Sequence, residues 1–213
     1  MMDLFGNALP KKLEIIKDAY LLKGFACPNQ TELLADLAKI IHAAPLRNMV
    51  TSGGFTMSVA MTNCGALGWV TDRKGYRYAA HDPISNQAWP AMPASFKQLA
   101  VQAASEAGFS NFDPDACLIN QYKIGARMSL HQDKDEQDFS QPIVSVSFGL
   151  PATFQFGGFE RADKTIKLLL EHGDVVVWGG ESRLRFHGIL PLKAGLHPEL
   201  GEVRINLTFR SAK

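Results

Sequence analysis

The sequence predicts a mainly β protein of the α+β class, in which N-terminal helices precede a jelly roll or β-sandwich. Helical periodicity is confined to the first half of the chain, whereas short strand-like segments separated by turn residues fill the second half. A chain of 213 residues with 46% hydrophobic composition is long enough for one substantial domain with its own core. We therefore expect a single domain over residues 1–213, with the β core in residues 111–213.

Two helices are predicted in the first 110 residues. Leucine and isoleucine recur at helical spacing over residues 30–44, and Pro45 ends this pattern because a proline disfavours the helical conformation of the residue before it. A second helix is predicted over residues 94–107, with Gly108 as its C-terminal cap.

The segment between these helices, residues 49–89, has a different composition. It combines several glycines with aromatic and basic residues, among them Trp69, Tyr76, Tyr78, Arg73, Lys74 and Arg77. Aromatic rings and cations on a glycine-rich segment can stack on bases and contact phosphates, as in proteins that bind single-stranded nucleic acid. A core role for the same residues stays open, because aromatic and methionine side chains are more often buried than engaged with a ligand.

The second half contains eight predicted strands. Each is a short run rich in β-branched or aromatic residues between turn residues, and they cover residues 117–123, 128–133, 143–150, 152–156, 166–171, 174–178, 184–190 and 203–209. Eight such strands are typical of a jelly roll.

His131, Asp133 and His187 form the most informative pattern in the sequence. Two imidazoles and one carboxylate are the ligand set that binds non-haem Fe(II) and leaves positions open for substrate and oxygen. On an extended strand, residues i and i+2 project to the same side, so His131 and Asp133 can reach one ion. We expect the strand of His187 to be their neighbour across the two sheets of a jelly roll.

A second His-x-Asp pattern, at His172 and Asp174, is predicted to be structural. It has a glycine at its centre and lies between two apolar runs, which is typical of a hairpin turn.

The last predicted strand alternates strictly between polar and apolar residues. Arg204, Asn206, Thr208 and Arg210 share one face, and such alternation alone is typical of an edge strand with a solvated face. Two arginines beside an amide and a hydroxyl, however, are donors suited to two carboxylates. Asn120 and Tyr122, again at i and i+2, could bind the same anion. An iron site next to a dicarboxylate pocket implies a 2-oxoglutarate dioxygenase.

Together these patterns resemble the AlkB family of Fe(II)/2-oxoglutarate-dependent nucleic-acid dealkylases. The resemblance covers about residues 49 to 210 and rests on Leu130-His131-Gln132-Asp133-Lys134-Asp135, Phe186-His187-Gly188, Asn120-x-Tyr122 and Arg204-x-Asn206-x-Thr208-x-Arg210. Residues 56–65 and 173–180 resemble bacterial members of the family in particular. The first 45 residues resemble it only loosely, and no role is carried over there.

The resemblance implies a double-stranded β-helix, which is a jelly roll, with a nucleotide-recognition lid among the N-terminal helices in residues 1–110. It implies that Fe(II) binds His131, Asp133 and His187. It implies that 2-oxoglutarate binds Arg204, Tyr122 and Asn206 at its distal carboxylate, and Arg210 and Asn120 at its metal-chelating end. The substrate-binding residues that it implies are Trp69, Tyr76, Arg77, Tyr78, Asp135 and Arg161.

The implied reaction is oxidative dealkylation of bases such as 1-methyladenine and 3-methylcytosine with O2 as a cosubstrate, which releases formaldehyde, carbon dioxide and succinate. Trp69 would stack on the damaged base opposite the ring of His131, and Asp135 would attract the positive charge of a base methylated at a ring nitrogen. The expected partner is alkylated single-stranded DNA, with duplex DNA and RNA as further candidates. We expect a monomer.

The composition of the chain limits the possible binding partners, cysteine chemistry and location of the protein. With 22 basic and 21 acidic residues the net charge is +1, so a nucleic acid would have to bind a local patch. Three cysteines without Cys-x-x-Cys spacing argue against a disulfide framework or a zinc ribbon. The N-terminus lacks the apolar core of a signal peptide and no segment has the length of a membrane span, so we expect a cytoplasmic protein without membrane contact.

Two alternatives stay open at this point. The enzyme could oxidise a protein side chain or a small metabolite, or the chain could be a jelly-roll binding module without catalysis.

Overall fold

The computed structural model describes residues 11–213. The first ten residues, to which the expectation about a signal peptide applies, lie outside the described residues. The elements up to residue 106 are, in chain order, β1 Lys12–Ile16, β2 Ala19–Leu22, α1 Gln30–Ala43, β3 Arg47–Val50, β4 Thr56–Gly65, β5 Gly68–Asp72, β6 Gly75–Ala79 and α2 Ala94–Glu106. The later strands are β7 Ala116–Lys123, β8 Met128–His131, β9 Ile143–Gly149, β10 Ala152–Phe156, β11 Ile166–Leu170, β12 Val175–Trp178, β13 His187–Ile189 and β14 Val203–Arg210.

Two sheets pack face to face and form a jelly roll, as the sequence predicts. The major sheet has eight strands in the order β1-β2-β12-β9-β14-β7-β4-β3, and the minor sheet has four in the order β11-β10-β13-β8. Strands β5 and β6 form a separate two-stranded hairpin, which we call the recognition hairpin (residues 68–79).

Both predicted helices are confirmed. Helix α1 ends at Ala43, after which Ala44 is extended before Pro45. Helix α2 ends at Glu106, and Gly108 adopts a φ of +96° while its N–H donates to Ser105. Neither helix in residues 11–213 is long and apolar enough to cross a membrane.

The alternation of β14 separates two cores. Ile205, Leu207 and Phe209 face the helices and pack in one apolar cluster with Phe96 and Leu33. The polar residues of β14 point the other way, into the space between the two sheets, because successive side chains of a strand project to opposite faces. The period of the strand therefore places the residues predicted to bind an anion inside the jelly roll.

The structure excludes one alternative and corrects three predictions. First, the alternative of an edge strand with a solvated face is excluded, because β14 lies between β7 and β9 and is buried from Arg204 to Arg210. Second, β8 ends at His131, so Asp133 lies in a loop rather than on the strand. Third, β8 and β13 are neighbours within the minor sheet, not across the two sheets.

Fourth, the turn at residues 172–174 is confirmed as a turn but not as a hairpin, because β11 and β12 belong to different sheets. Gly173 has a φ of +83°, and a Cβ there would lie 2.2 Å from Cys27 Sγ. His172 accepts a hydrogen bond from the backbone N–H of Gly149 at 3.0 Å, and its Nε2 lies 2.8 Å from Gln30 Oε1. Both ring nitrogens are thereby engaged in structural contacts.

The sequence analysis missed β1 to β4. These strands come from the N-terminal half and extend the major sheet on both edges. The N-terminal half thus contributes strands to the β core as well as the helices and the recognition hairpin.

We predict that His172→Ala lowers the free energy of unfolding and leaves metal binding intact. The loss of the acceptor for Gly149 N–H should cost about 1 to 3 kcal/mol. Urea unfolding measures the first effect and Mn(II) titration the second, with His131→Ala as the control that should lose Mn(II) binding. A folded His172→Ala protein that no longer binds Mn(II) would contradict the structural role of this turn.

Candidate metal and cosubstrate site

The pairing of β8 with β13 brings the two histidines together. His131 and His187 are direct partners in the register, and their ring centroids lie 4.4 Å apart. Gly188 permits this approach, because a Cβ at this position would lie only 2.7 Å from the carbonyl oxygen of Met128. Asp133 follows two residues after the end of β8.

Ligand atoms of His131, Asp133 and His187 all lie within 4.8 Å of one another. Nε2 of His131 is 3.7 Å from Oδ1 of Asp133, and Nε2 of His187 is 3.6 Å from Oδ2. Nδ1 of His131 lies 2.8 Å from the carbonyl oxygen of Ser129, and Nδ1 of His187 lies 3.1 Å from that of Arg185. With Nδ1 protonated and donating, each Nε2 presents a lone pair to the cluster, which is the tautomer that a metal requires.

The electrostatics of the cluster favour a bound cation. Burial and, to a lesser extent, the neighbouring His187 lower the pKa of His131 to about 4, so the imidazole is neutral at pH 7. Although 37% of the His131 side chain is exposed, its Nε2 faces Asp133 in the interior. Burial alone would raise the pKa of Asp133, but Arg210 and His187 hold it well below its usual range. A neutral imidazole and an ionised carboxylate are the protonation states of metal ligands.

Arg210 is the second partner of Asp133. Its Nε and Nη2 donate to Oδ2 of Asp133 at 3.0 and 2.6 Å, and its Nε lies 3.3 Å from Oε1 of Glu136. Burial opposes the charge of Arg210, yet Asp133 and its other neighbours raise the pKa of Arg210 above its ordinary value. The guanidinium thus orients the carboxylate through Oδ2, the same oxygen that faces His187.

Arg204 is more deeply buried than Arg210, and no carboxylate of residues 11–213 pairs with it. Its side chain is 1% exposed, its Nη2 donates to Ser147 Oγ at 3.0 Å, and its guanidinium carbon lies 5.0 Å from the centre of the Tyr122 ring. Among residues 11–213, no group accepts from its Nε or Nη1. Burial accordingly lowers its pKa. A buried guanidinium with free donors is costly unless an anion binds it, so this position fits a carboxylate.

One cavity contains all the residues that the sequence assigned to metal and cosubstrate. Its lining includes His131, Asp133, His187, Asn120, Tyr122, Arg204, Asn206 and Arg210. Nη1 of Arg210 and Oδ1 of Asn120 also have no partner within the described part of the chain. Arg210 lies at the end of the cavity next to the metal-ligand cluster, and Arg204 lies at the inner end. This arrangement fits a dicarboxylate with one carboxylate at each end.

The residues assigned to the substrate form a second cluster at the recognition hairpin. Trp69 stacks on Tyr76 with ring centroids 5.6 Å apart, and its indole N–H donates to Oδ2 of Asp135 at 2.8 Å. The hydroxyl of Tyr78 donates to Oε1 of Glu136 at 2.6 Å, and burial raises the pKa of this tyrosine. The hairpin therefore contacts the same loop that carries Asp133.

Two predicted substrate residues lie apart from this cluster. Arg77 projects from the other face of β6 and pairs with both carboxylate oxygens of Asp72 at 3.0 and 2.7 Å. Arg161 is exposed, donates to the carbonyl oxygen of Leu130, and lies 5.2 Å from the Phe186 ring. Arg161 therefore lies on the outside of the strand that carries His131.

The sequence analysis missed Glu136, Arg183 and Ser147. In the sequence, Glu136 belongs to an acidic run that is typical of a solvated surface, and Arg183 belongs to no motif. Both side chains are buried, and Arg183 Nη2 donates to Glu136 Oε2 at 3.0 Å. Only the contact between residues distant in the chain reveals their role.

Comparisons with known proteins agree with this geometry. Residues 18–210 match the family model of the 2OG-Fe(II) oxygenase superfamily. The chain is similar to two proteins named alpha-ketoglutarate-dependent dioxygenase AlkB, from Salmonella typhimurium and Escherichia coli, each 58% identical over 212 residues that cover 100% of this chain and 98% of the relative. The solved structure of OsALKBH1 superposes with a TM-score of 0.82 at 28% identity, over 94% of this chain and 99% of that one.

We predict that Arg204→Ala weakens binding of 2-oxoglutarate, because removal of one partner of a desolvated charge pair costs about 2 to 5 kcal/mol. Calorimetric titration of the Mn(II)-loaded protein measures the dissociation constant. Arg127→Ala is the matched control, since Arg127 is an exposed arginine on the loop before β8. Unchanged affinity in Arg204→Ala would exclude this residue from the cosubstrate site.

Proposed function

The chain belongs to the 2OG-Fe(II) oxygenase superfamily and, within it, to the AlkB family, and we propose that it oxidatively dealkylates nucleobases of the 1-methyladenine and 3-methylcytosine type. One observation carries the proposal. A single cavity combines a two-histidine, one-carboxylate cluster with a buried arginine that has no counter-charge among residues 11–213, and aromatic residues of the recognition hairpin contact acidic residues of the loop that carries Asp133.

His131, Asp133 and His187 would hold Fe(II). When bound, Fe(II) and 2-oxoglutarate supply the oxidation, in which O2 is consumed, 2-oxoglutarate becomes succinate and carbon dioxide, and the N-methyl group leaves as formaldehyde. Arg204, with Tyr122 and Asn206, would bind the distal carboxylate, and Arg210 with Asn120 would serve the end near the metal. Both guanidiniums have donors without a partner among residues 11–213, and the contact of Arg210, but not of Arg204, with Asp133 supports this division.

The chain itself supplies orientation. The carbonyl groups of Ser129 and Arg185 fix the two imidazole rings, and Arg210 fixes the Asp133 carboxylate. Ser145 and the Val146 carbonyl accept from the amide of Asn206 at 2.8 and 3.0 Å, which leaves that side chain one orientation. These partners hold the binding side chains in place before the metal or 2-oxoglutarate binds. Such positioning is the main contribution of a protein to cofactor chemistry.

Base recognition would use Trp69 and Asp135. The indole ring offers a stacking face, and Asp135 offers a carboxylate to a base that is cationic after methylation of a ring nitrogen. Because the indole N–H donates to Oδ2 of Asp135, the other oxygen of the same carboxylate can accept from an exocyclic amine. Trp69 would thus both stack on the base and orient its acidic partner.

The substrate is a nucleic acid, and the base must lie outside a duplex to reach the cavity. We assign single-stranded DNA as the preferred form, with duplex DNA and RNA as further substrates, and a monomeric enzyme in the cytoplasm. Methylation of the pairing edge favours this preference, because it lowers the cost of unpairing.

Formaldehyde and succinate measured together test the proposal. The protein is incubated anaerobically with Fe(II) and 2-oxoglutarate, and oxygen is then admitted with a single-stranded oligonucleotide that carries one 1-methyladenine. We expect formaldehyde from the methylated oligonucleotide, an equal amount of succinate above the substrate-free level, and no formaldehyde from the unmethylated oligonucleotide. Succinate at the substrate-free level only, without formaldehyde, would exclude this oligonucleotide as the substrate and favour a protein side chain or a small metabolite.

We predict that His131→Ala, Asp133→Ala and His187→Ala each abolish product formation. A three-ligand site that loses one ligand no longer holds the metal in its reactive geometry. Succinate formation is the measurement, and Mn(II) titration of each folded variant is the control. Full activity in any one variant would remove that residue from the ligand set.

We predict that Trp69→Phe and Trp69→Ala differ in a defined way. Loss of stacking in Trp69→Ala should cost about 1 to 3 kcal/mol in kcat/KM for all bases. Trp69→Phe keeps an aromatic face but loses the N–H that orients Asp135, so it should mainly reduce the preference for cationic lesions over neutral adducts of similar shape. Substrate-free decarboxylation of 2-oxoglutarate is the internal control.

Asp135→Asn should reproduce the loss of preference seen in Trp69→Phe, because it removes the negative charge and keeps the size of the side chain. Kinetics on one cationic and one neutral lesion in the same single strand measure both variants. If Asp135→Asn slows the two lesions equally, the proposed recognition of positive charge is wrong.

A further inference from the structure

The loop between β8 and β9, residues 132–142, carries three acidic groups of the site and has little structure of its own. We call it the carboxylate loop. It contains Asp133, Asp135 and Glu136, which contact Arg210, Trp69 and Tyr78 respectively. No backbone-to-backbone hydrogen bond outside the helices and strands of residues 11–213 involves this loop. Side chains must therefore hold its backbone.

Arg183 holds this backbone at both ends. Its Nη1 donates to the carbonyl oxygen of Asp133 at 2.7 Å, and its Nε donates to that of Gln141 at 3.0 Å. Its Nη2 donates to Glu136 in the middle of the loop at 3.0 Å. The guanidinium also lies 5.4 Å from the centre of the Phe139 ring. One planar fork thus joins four residues of a single irregular segment.

The backbone that carries Arg183 is held by hydrogen bonds to the N-terminal part of the chain. It follows the 3-10 turn Gly180–Ser182, where the N–H of Glu181 donates to Asp18 at 3.0 Å and the hydroxyl of Ser182 donates to the Lys17 carbonyl oxygen at 2.6 Å. Arg183 is 3% exposed, so water does not compete for its donors. Because the backbone of Arg183 is fixed and its guanidinium is planar, the position of the loop depends on this side chain.

We propose that Arg183 is the positioning residue for the metal-binding carboxylate. Arg210 holds the Asp133 carboxylate, whereas Arg183 holds the peptide that follows it, so both are needed to place Oδ1 and Oδ2 between the two imidazoles. Through Glu136, the same guanidinium also holds the acceptor of the Tyr78 hydroxyl, which is one contact between the recognition hairpin and the carboxylate loop. The inference rests on the proposed function for the identity of the metal site.

The alternative is a structural role, in which loss of Arg183 destabilises the fold without a specific effect on the site. Arg47 provides the matched control for this alternative. It also forms a bidentate pair with a carboxylate, that of Asp82, and its guanidinium lies 5.8 Å from an aromatic ring, that of Trp89. Arg47→Lys should thus remove a similar fork from the same fold without touching the carboxylate loop.

The test uses the full-length, metal-free protein and Mn(II) or Co(II) as the probe. Arg183→Lys keeps the charge but cannot make all three contacts, so we expect the Mn(II) dissociation constant to rise about 10-fold or more. We also expect the Co(II) absorption spectrum to change, because that spectrum reports ligand geometry. Arg47→Lys should bind Mn(II) as the wild type does, with a wild-type Co(II) spectrum.

A second variant covers the case in which Arg183→Lys does not fold. The double variant Arg183→Met with Glu136→Gln removes both members of the buried pair. Because Glu136 also lies beside Arg210, Glu136→Gln alone is the reference, and the double variant should bind Mn(II) more weakly than Glu136→Gln does. Wild-type Mn(II) affinity and a wild-type Co(II) spectrum in the folded Arg183 variants would overturn the inference, as would an equal loss of affinity in Arg47→Lys.

The two proposals fail separately. If the wild type releases no formaldehyde from methylated oligonucleotides but Mn(II) binding depends on Arg183, the proposed substrate is wrong and the positioning role stands. If the wild type releases formaldehyde and Arg183→Lys binds Mn(II) normally, only the positioning role is wrong.

Discussion

The burial of four polar side chains at the centre of the major sheet is the constraint on which this structure depends. Strand β14 cannot turn Ile205, Leu207 and Phe209 towards the helices without turning Arg204, Asn206, Thr208 and Arg210 into the interior, because the side-chain period of a strand is two. Buried polar groups are stable only with partners. Asp133 is the partner of Arg210, and a carboxylate of 2-oxoglutarate would be the missing partner of Arg204.

The metal-ligand cluster has one part on regular strands and one part in an irregular loop. The two histidines lie on paired strands, whose ladder fixes them relative to each other. The carboxylate ligand lies in a loop without such a ladder, and its position depends on two buried guanidiniums. A strand would give Asp133 more rigidity, but the loop lets neighbouring carboxylates reach Arg210, the recognition hairpin and the metal from one short segment.

The proposed base-binding residues and the proposed metal ligands are therefore physically linked. Trp69 and Tyr78 belong to a two-stranded hairpin outside the main sheets, and both bind acidic residues of the carboxylate loop. A two-stranded hairpin is marginally stable alone, and these contacts hold it together with the hydrogen bonds of Asn63 to the Trp69 backbone. A base held by the hairpin would then be positioned relative to the metal by the contacts of Trp69 and Tyr78 with the carboxylate loop.

The sequence by itself determined the fold class, the two helices, the ligand triad and the polar face of β14. Each of these is encoded by local spacing: a period of 3.6 for the helices, a period of two for β14, and a residue set for the metal. The tertiary structure alone decided that β14 is central and not an edge, that His131 and His187 are partners in one sheet, and that Asp133 lies in a loop. It alone revealed Glu136 and Arg183, because a charged residue in an acidic run or outside any motif has no local signal of burial. Such residues acquire their role from partners about fifty positions away in the chain, and a contact over that distance exists only once the strands between them are folded.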